Sequence, residues 1–124
     1  MALVFILEDD RDLLNLYSRA LRFRGYDVLC ADSAENAILM LDEGKFAPDI
    51  AVLDMSMPGL PGSAVVEYIR SQRHLSQLPI IAISCNEDFR QMLLSSEVTF
   101  MTKPINLVDL YRIVALFVPM DLPS

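Results

Sequence analysis

Ala51-Val52-Leu53-Asp54-Met55-Ser56-Met57-Pro58-Gly59 joins an apolar run too short for a helix to an acid, after which Pro58-Gly59 breaks any regular structure. The stretch reads as a buried strand that delivers one carboxylate, Asp54, onto a rigid loop at its C-terminal end. Aspartate also opens turns, so this stretch alone leaves two roles for Asp54. Three further stations favour the first role. Glu8-Asp9-Asp10 follows the apolar run 3–7, Ser84 follows Ile80-Ile81-Ala82-Ile83, and Lys103-Pro104 follows Val98-Thr99-Phe100-Met101. Each lies just past an expected strand.

Outward from the central strand, 49–54, the pattern keeps alternating. Downstream, Ala64, Val65, Tyr68 and Ile69 mark a helix that begins after the Pro58-Gly59-Leu60-Pro61-Gly62 loop and ends before Gln72. Residues 73–77 read as a polar surface loop and Pro79 introduces strand 80–83. Phe89, Met92 and Leu93, at i, i+3 and i+4, predict a short helix. Strand 98–101 follows, then a helix capped by Asn106 that runs to Phe117 and is ended by Pro119. Upstream, Leu13, Leu16, Tyr17, Ala20, Leu21 and Phe23 recur at helical spacing and predict a helix stopped by Gly25. Strand 26–31 comes next, and Asp32 or Ser33 caps a helix with Ala34, Ala37, Ile38 and Leu41 inward, ended by Gly44. Five strands alternating with five helices imply right-handed crossovers and a parallel sheet covered on both faces. In such sheets ligands bind past the carboxyl ends of the strands, where all four stations sit.

At 124 residues the chain reads as one domain, long enough for an ordinary core. A hydrophobic share of 53% excludes disorder as the ground state. The formal charge of -7 argues against a nucleic-acid surface, which needs clustered Lys and Arg against phosphate. Cys30 and Cys85 sit in apolar segments without metal-ligand spacing and are expected as buried, reduced thiols. The runs 2–7 and 113–118 are far shorter than the ~20 apolar residues of a membrane span, and the first has no basic residue before it. The expectation is a cytoplasmic protein with no membrane contact.

If the first and central strands are neighbours, Glu8, Asp9 and Asp54 converge, and carboxylates that close repel strongly unless a cation joins them. An all-oxygen donor set with room for water suits Mg2+. Asp10 and Asp12 are read differently, as favourable charges at a helix N-terminus. Lys103 adds a point charge and Ser84 a hydroxyl at the same sheet edge, a combination suited to a phosphoryl group in transfer. His74, the one histidine, lies in the polar loop and is not placed as a base. No glycine-rich phosphate loop or Ser-His pair is present, so the available nucleophile is Asp54.

In these motifs, Glu8-Asp9-Asp10, Asp54 with Met57-Pro58-Gly59, Ser84 and Lys103-Pro104, the chain resembles the receiver domains of two-component response regulators over residues 3–118. The resemblance implies a flavodoxin-like, doubly wound five-stranded parallel sheet of order 2-1-3-4-5 with five helices. It implies that Asp54 accepts phosphate from a sensor histidine kinase or phosphotransfer protein. Asp9, Asp54 and the backbone carbonyl of Ser56 would bind Mg2+ directly, and Glu8 through water. Ser84 and Lys103 would contact the phosphoryl oxygens, and the Lys103-Pro104 peptide would be cis. Ser56, Cys85 and Asn86 occupy positions that tune how fast water attacks the acyl phosphate. Phosphorylation would draw Ser84 inward and leave space for Phe100, which is either a switching ring or a static core residue. Such a domain acts on its own aspartate and is not an enzyme with a separate substrate. Its output partner is unknown, and receivers of this family often form a homodimer through the fourth-to-fifth helix face.

The chain departs from the family pattern in two places. Ser84 and Lys103 are only 19 positions apart, with Ser96-Glu97 where Gly-Ala is common, so the fourth helix is expected to be short or displaced. Cys85 stands where a smaller residue is usual beside the phosphoryl site. Two other readings fit less well. A haloacid-dehalogenase-type phosphatase needs a second acid two residues past its nucleophile, where this chain has Ser56. A degenerate module used only for protein contacts would not need the full acidic set with Lys103.

Overall fold

A computed structural model describes residues 2–85 and 97–119. Its elements in chain order are β1 (Leu3–Leu7), α1 (Arg11–Phe23), β2 (Asp27–Ala31), α2 (Ala34–Glu43), β3 (Ile50–Asp54), α3 (Gly62–Ser71), β4 (Ile80–Ser84), β5 (Thr99–Thr102) and α4 (Leu107–Phe117). The short helix expected at Phe89, Met92 and Leu93 lies outside the described residues, so α4 is the helix expected fifth. The strands form one parallel sheet in the order β2-β1-β3-β4-β5, as the resemblance implied.

The period-2 alternation of each strand sorts its side chains between two cores. Val4, Ile6, Val52, Ile81, Ile83 and Met101 face one layer, where Tyr17 and Leu21 of α1 meet Leu110 and Val114 of α4. Phe5, Leu7, Ala51, Leu53 and Ala82 face the other, against Ala37 and Leu41 of α2 and Val65, Val66 and Ile69 of α3. Full burial of each large aliphatic or aromatic side chain contributes roughly 1.5–3 kcal/mol, which is why continuous apolar runs settle as central strands covered twice.

The helix ends follow local chemistry. The Asp10 carboxylate caps α1, accepting from the backbone N–H groups of Asp12 at 2.9 Å and Leu13 at 3.2 Å. Ser33 rather than Asp32 caps α2, its hydroxyl accepting from the Asn36 N–H at 3.1 Å. Asn106 caps α4 through the Val108 N–H at 2.8 Å, and Gly44 ends α2 at φ 70°. Gly62, expected as the end of a loop, is instead the first residue of α3, where a Cβ would collide with the carbonyl oxygen of Asp54. Only glycine lets α3 press this closely on the end of β3.

Two expectations are corrected. Leu16 and Phe23, counted in the apolar periodicity that predicts α1, are 47% and 90% exposed. Tyr17 and Leu21 take the buried stripe, and Leu16, Ala20 and Phe23, at i, i+4 and i+7, line the flank beside it. The two cysteines are free but not buried. Cys85 is exposed because it lies one residue beyond β4, and Cys30 is half-buried because β2 is an edge strand. The 73–77 loop carries an exposed His74, as expected, but also a buried Leu75.

Candidate functional site

Strand neighbours and side-chain parity assemble the site. β1 lies beside β3, with Ile6 opposite Val52 and Leu7 opposite Leu53, so Glu8 and Asp54 emerge side by side. Glu8 is two residues past Ile6, Asp54 two past Val52 and Lys103 two past Met101, and those three predecessors share one core. All three charged groups therefore continue the series facing α1 and α4. Lys103 Nζ lies 3.0 Å from Glu8 Oε1 and 3.3 Å from Asp54 Oδ2. Glu8 and Asp54 are only 1% and 2% exposed, whereas Asp9 is exposed and opens the group to solvent.

One carboxylate oxygen each from Glu8, Asp9 and Asp54 lie within 4.8 Å of one another. Three carboxylates share one ammonium, so acid outnumbers base in a group whose Glu8 and Asp54 are buried and whose Asp9 faces solvent. The donor set is all oxygen, partly buried and open on one side, and it fits a small hard divalent cation that keeps some of its waters. The electrostatics bear the same mark. Burial, followed by the neighbouring Asp54, raises the pKa of the Glu8 carboxyl despite the opposing pull of Lys103. Burial by itself would lower the pKa of Lys103, but the carboxylates of Glu8 and Asp54 outweigh it and the net shift is upward, so the lysine stays charged. Tyr17, on the adjoining face of α1, has its phenol raised by burial and then by the Glu8 charge.

The loops that carry these groups are fastened to the end of β4. Met55 N–H donates to the Ile83 carbonyl at 2.8 Å, and Lys103 N–H to the Ser84 carbonyl at 2.9 Å. The Lys103-Pro104 peptide is cis, as the resemblance implied. Asp54 Oδ1 accepts from the Ser56 N–H at 2.9 Å, and Ser56 Oγ lies 2.8 Å from Ser84 Oγ. Ser84 is fully buried, while Cys85 approaches Ser56 Oγ through its sulfur at 3.8 Å. Phe100 pairs in register with Ala82 and packs, half-buried, against the core on the α2 and α3 side. Asn86 lies outside the described residues.

The structure thus gathers Glu8, Asp9, Asp54, Ser56 and Lys103, with Ser84 and Cys85 joined through Ser56. Sequence reasoning missed two contacts. The direct Lys103–Glu8 ion pair was available from parity, since both residues continue strands of one face. The Ser56–Ser84 hydrogen bond was not, because it depends on the path of a loop.

A doubly wound α/β domain with an acid cluster and a lysine at the carboxyl edge of its sheet is the architecture of a phosphate-accepting signalling module. The chain belongs to the response regulator receiver domain family, whose family model matches residues 4–115. Receiver domains bind Mg2+ at an acidic pocket of the kind formed by Glu8, Asp9 and Asp54. The chain is 30% identical over 113 residues to the transcriptional regulatory protein YrkP of Bacillus subtilis, covering 90% of this chain and 48% of YrkP. It is 32% identical over 110 residues to the transcriptional regulatory protein KdpE of Staphylococcus aureus, covering 86% and 46%. The chain therefore spans about half the length of the curated relatives it matches. Among solved structures, the response regulator protein TrrA of Thermotoga maritima, in complex with Mg2+ and BeF, superposes with a TM-score of 0.83 at 22% identity. That match covers 95% of this chain and all of TrrA, and it speaks to the fold alone.

Proposed function

We propose that Asp54 is the phosphoacceptor of this receiver domain and that its phosphorylation switches protein-protein contacts. The observation that carries the reading is the position of Lys103 Nζ, which touches both Glu8 and Asp54 beside the exposed Asp9. In the transfer an Asp54 oxygen bonds to phosphorus as the bond from phosphorus to the histidine nitrogen of the donor breaks, and the released imidazole takes up a proton. Lys103 balances the charge gathering on the phosphoryl oxygens, and the Ser84 hydroxyl donates to them. Asp9, Asp54 and the Ser56 carbonyl would hold Mg2+ directly and Glu8 through water. When bound, that ion neutralises charge between the acids and the incoming phosphoryl group. The chain catalyses only its own modification and does not act on a separate substrate.

The donor in this reading is a sensor histidine kinase or a phosphotransfer protein. The names of the relatives, transcriptional regulatory proteins about twice as long, support an output domain elsewhere in the same polypeptide or on a partner. Among the described residues no helix is long and apolar enough to cross a membrane, and the reading places the domain in the cytoplasm with its kinase's phosphohistidine. The formal charge of -7 keeps nucleic-acid contact away from this domain.

The test is intact-mass analysis after incubation with acetyl phosphate and Mg2+. The parent protein should gain one phosphoryl group, Asp54→Asn none, and Phe100→Ala should label nearly as well as the parent. A parent that stays unmodified while a control receiver is labelled would refute the assignment.

A further inference from the structure

We infer that the side chain of Ser56 is a positioning residue that holds the Ser84 hydroxyl in its resting orientation and so sets how readily the domain switches. The inference rests on the phosphoacceptor reading of Asp54. Ser84 is completely buried, and a buried hydroxyl must find a partner. Ser56 Oγ supplies one at 2.8 Å, a full-strength O–H···O distance. The same residue holds the phosphoacceptor itself, because its backbone N–H donates to Asp54 Oδ1 at 2.9 Å. One residue thus grips Asp54 with its backbone and Ser84 with its side chain.

In this inference Ser84 donates its proton to Ser56 at rest, and when Asp54 carries a phosphoryl group that one proton can go either to the neutral hydroxyl or to an anionic oxygen. Hydrogen bonds to an ionised acceptor are roughly twice as strong as neutral ones, so Ser84 leaves Ser56. The Ser56 hydroxyl is not stranded by this exchange, since Ser56 is only half-buried and Cys85 Sγ lies 3.8 Å from the same oxygen. The lost Ser56–Ser84 bond is therefore a cost charged only to the switched state. Removing the Ser56 hydroxyl deletes that cost and so favours the switched state.

The experiment measures binding of beryllofluoride in the presence of Mg2+ to four proteins: parent, Ser56→Ala, Ser84→Ala and the double variant. Ser56→Ala should bind about three- to tenfold more tightly than the parent, the worth of one net hydrogen bond. Ser56→Thr, which keeps the hydroxyl, should return to the parent affinity, and the gain should vanish when Ser84 is already alanine. Urea unfolding of the same ligand-free set reads the bond independently, with the losses of the two single variants failing to add. Unchanged or weaker binding by Ser56→Ala, an equal gain without the Ser84 hydroxyl, or strictly additive unfolding losses would overturn the restraint. Absence of any beryllofluoride adduct on the parent would instead overturn the phosphoacceptor reading, and this inference with it.

Discussion

At the scale of single residues, the site is a balance between burial and charge, and Glu8 shows its sign most clearly. Its pKa is raised because desolvation and Asp54 oppose ionisation more than Lys103 favours it. A carboxyl raised in the folded state contributes stability that is fully present below its ordinary value of 4.5 and is lost as pH climbs through the raised value. At neutral pH, in EDTA, Glu8→Gln should therefore melt at a higher temperature than the parent. The difference should shrink to nothing as pH falls toward 4.5, where the parent's Glu8 is protonated too. The same variant should bind Mg2+ more weakly by calorimetry, the trade of stability for function common at active sites. Equal melting temperatures across the range would mean that Lys103 fully compensates the buried charge. Glu8, Asp9, Asp54 and Lys103 were legible in the sequence because each lies within two residues of the end of an apolar run, where strand direction alone decides which edge it reaches. Cys85 is exposed for the converse reason: apolar company in sequence does not guarantee cover once the strand has ended.

At the scale of elements, the junction of β3 with α3 determines where Asp54 stands. Gly62 admits the first turn of α3 against the Asp54 carbonyl, and backbone atoms cannot yield as a flexible side chain would. Gly62→Ala should destabilise the domain by about 1–3 kcal/mol in urea unfolding, the usual cost of overpacking. It should also slow acetyl phosphate labelling, because relief of the clash displaces Asp54, the proposed phosphoacceptor. An unchanged midpoint with normal labelling would show that α3 can draw back freely. The caps at Asp10, Ser33 and Asn106 and the stop at Gly44 were readable because capping is local chemistry between near neighbours. The exposed flank of α1 was not. Leu16 and Phe23 fit a helical period as well as Tyr17 and Leu21 do, and only the position of the sheet decides which stripe is covered.

At the scale of the whole molecule, the order β2-β1-β3-β4-β5 puts β1 and β3 together at the centre and so brings acids from distant parts of the chain into one pocket. Alternation of strands with helices made the layered architecture legible, whereas periodicity carries no strand order, which came from the resemblance. An ion that binds only the folded state stabilises it by mass action, by about 2.7 kcal/mol at a hundred times its Kd. Mg2+ should accordingly raise the melting temperature of the parent in a concentration-dependent way, and Asp54→Asn should blunt the rise. A melting temperature indifferent to Mg2+ would count against the acid cluster as a cation site. The two bonds to the end of β4 carry one more consequence. Met55 and Lys103 donate to adjacent carbonyls of a single strand, although 48 residues separate them in the chain. Their amide protons should therefore share one opening event and exchange with deuterium at matching rates, so that the loop after Asp54 and the lysine beside it come loose together or not at all.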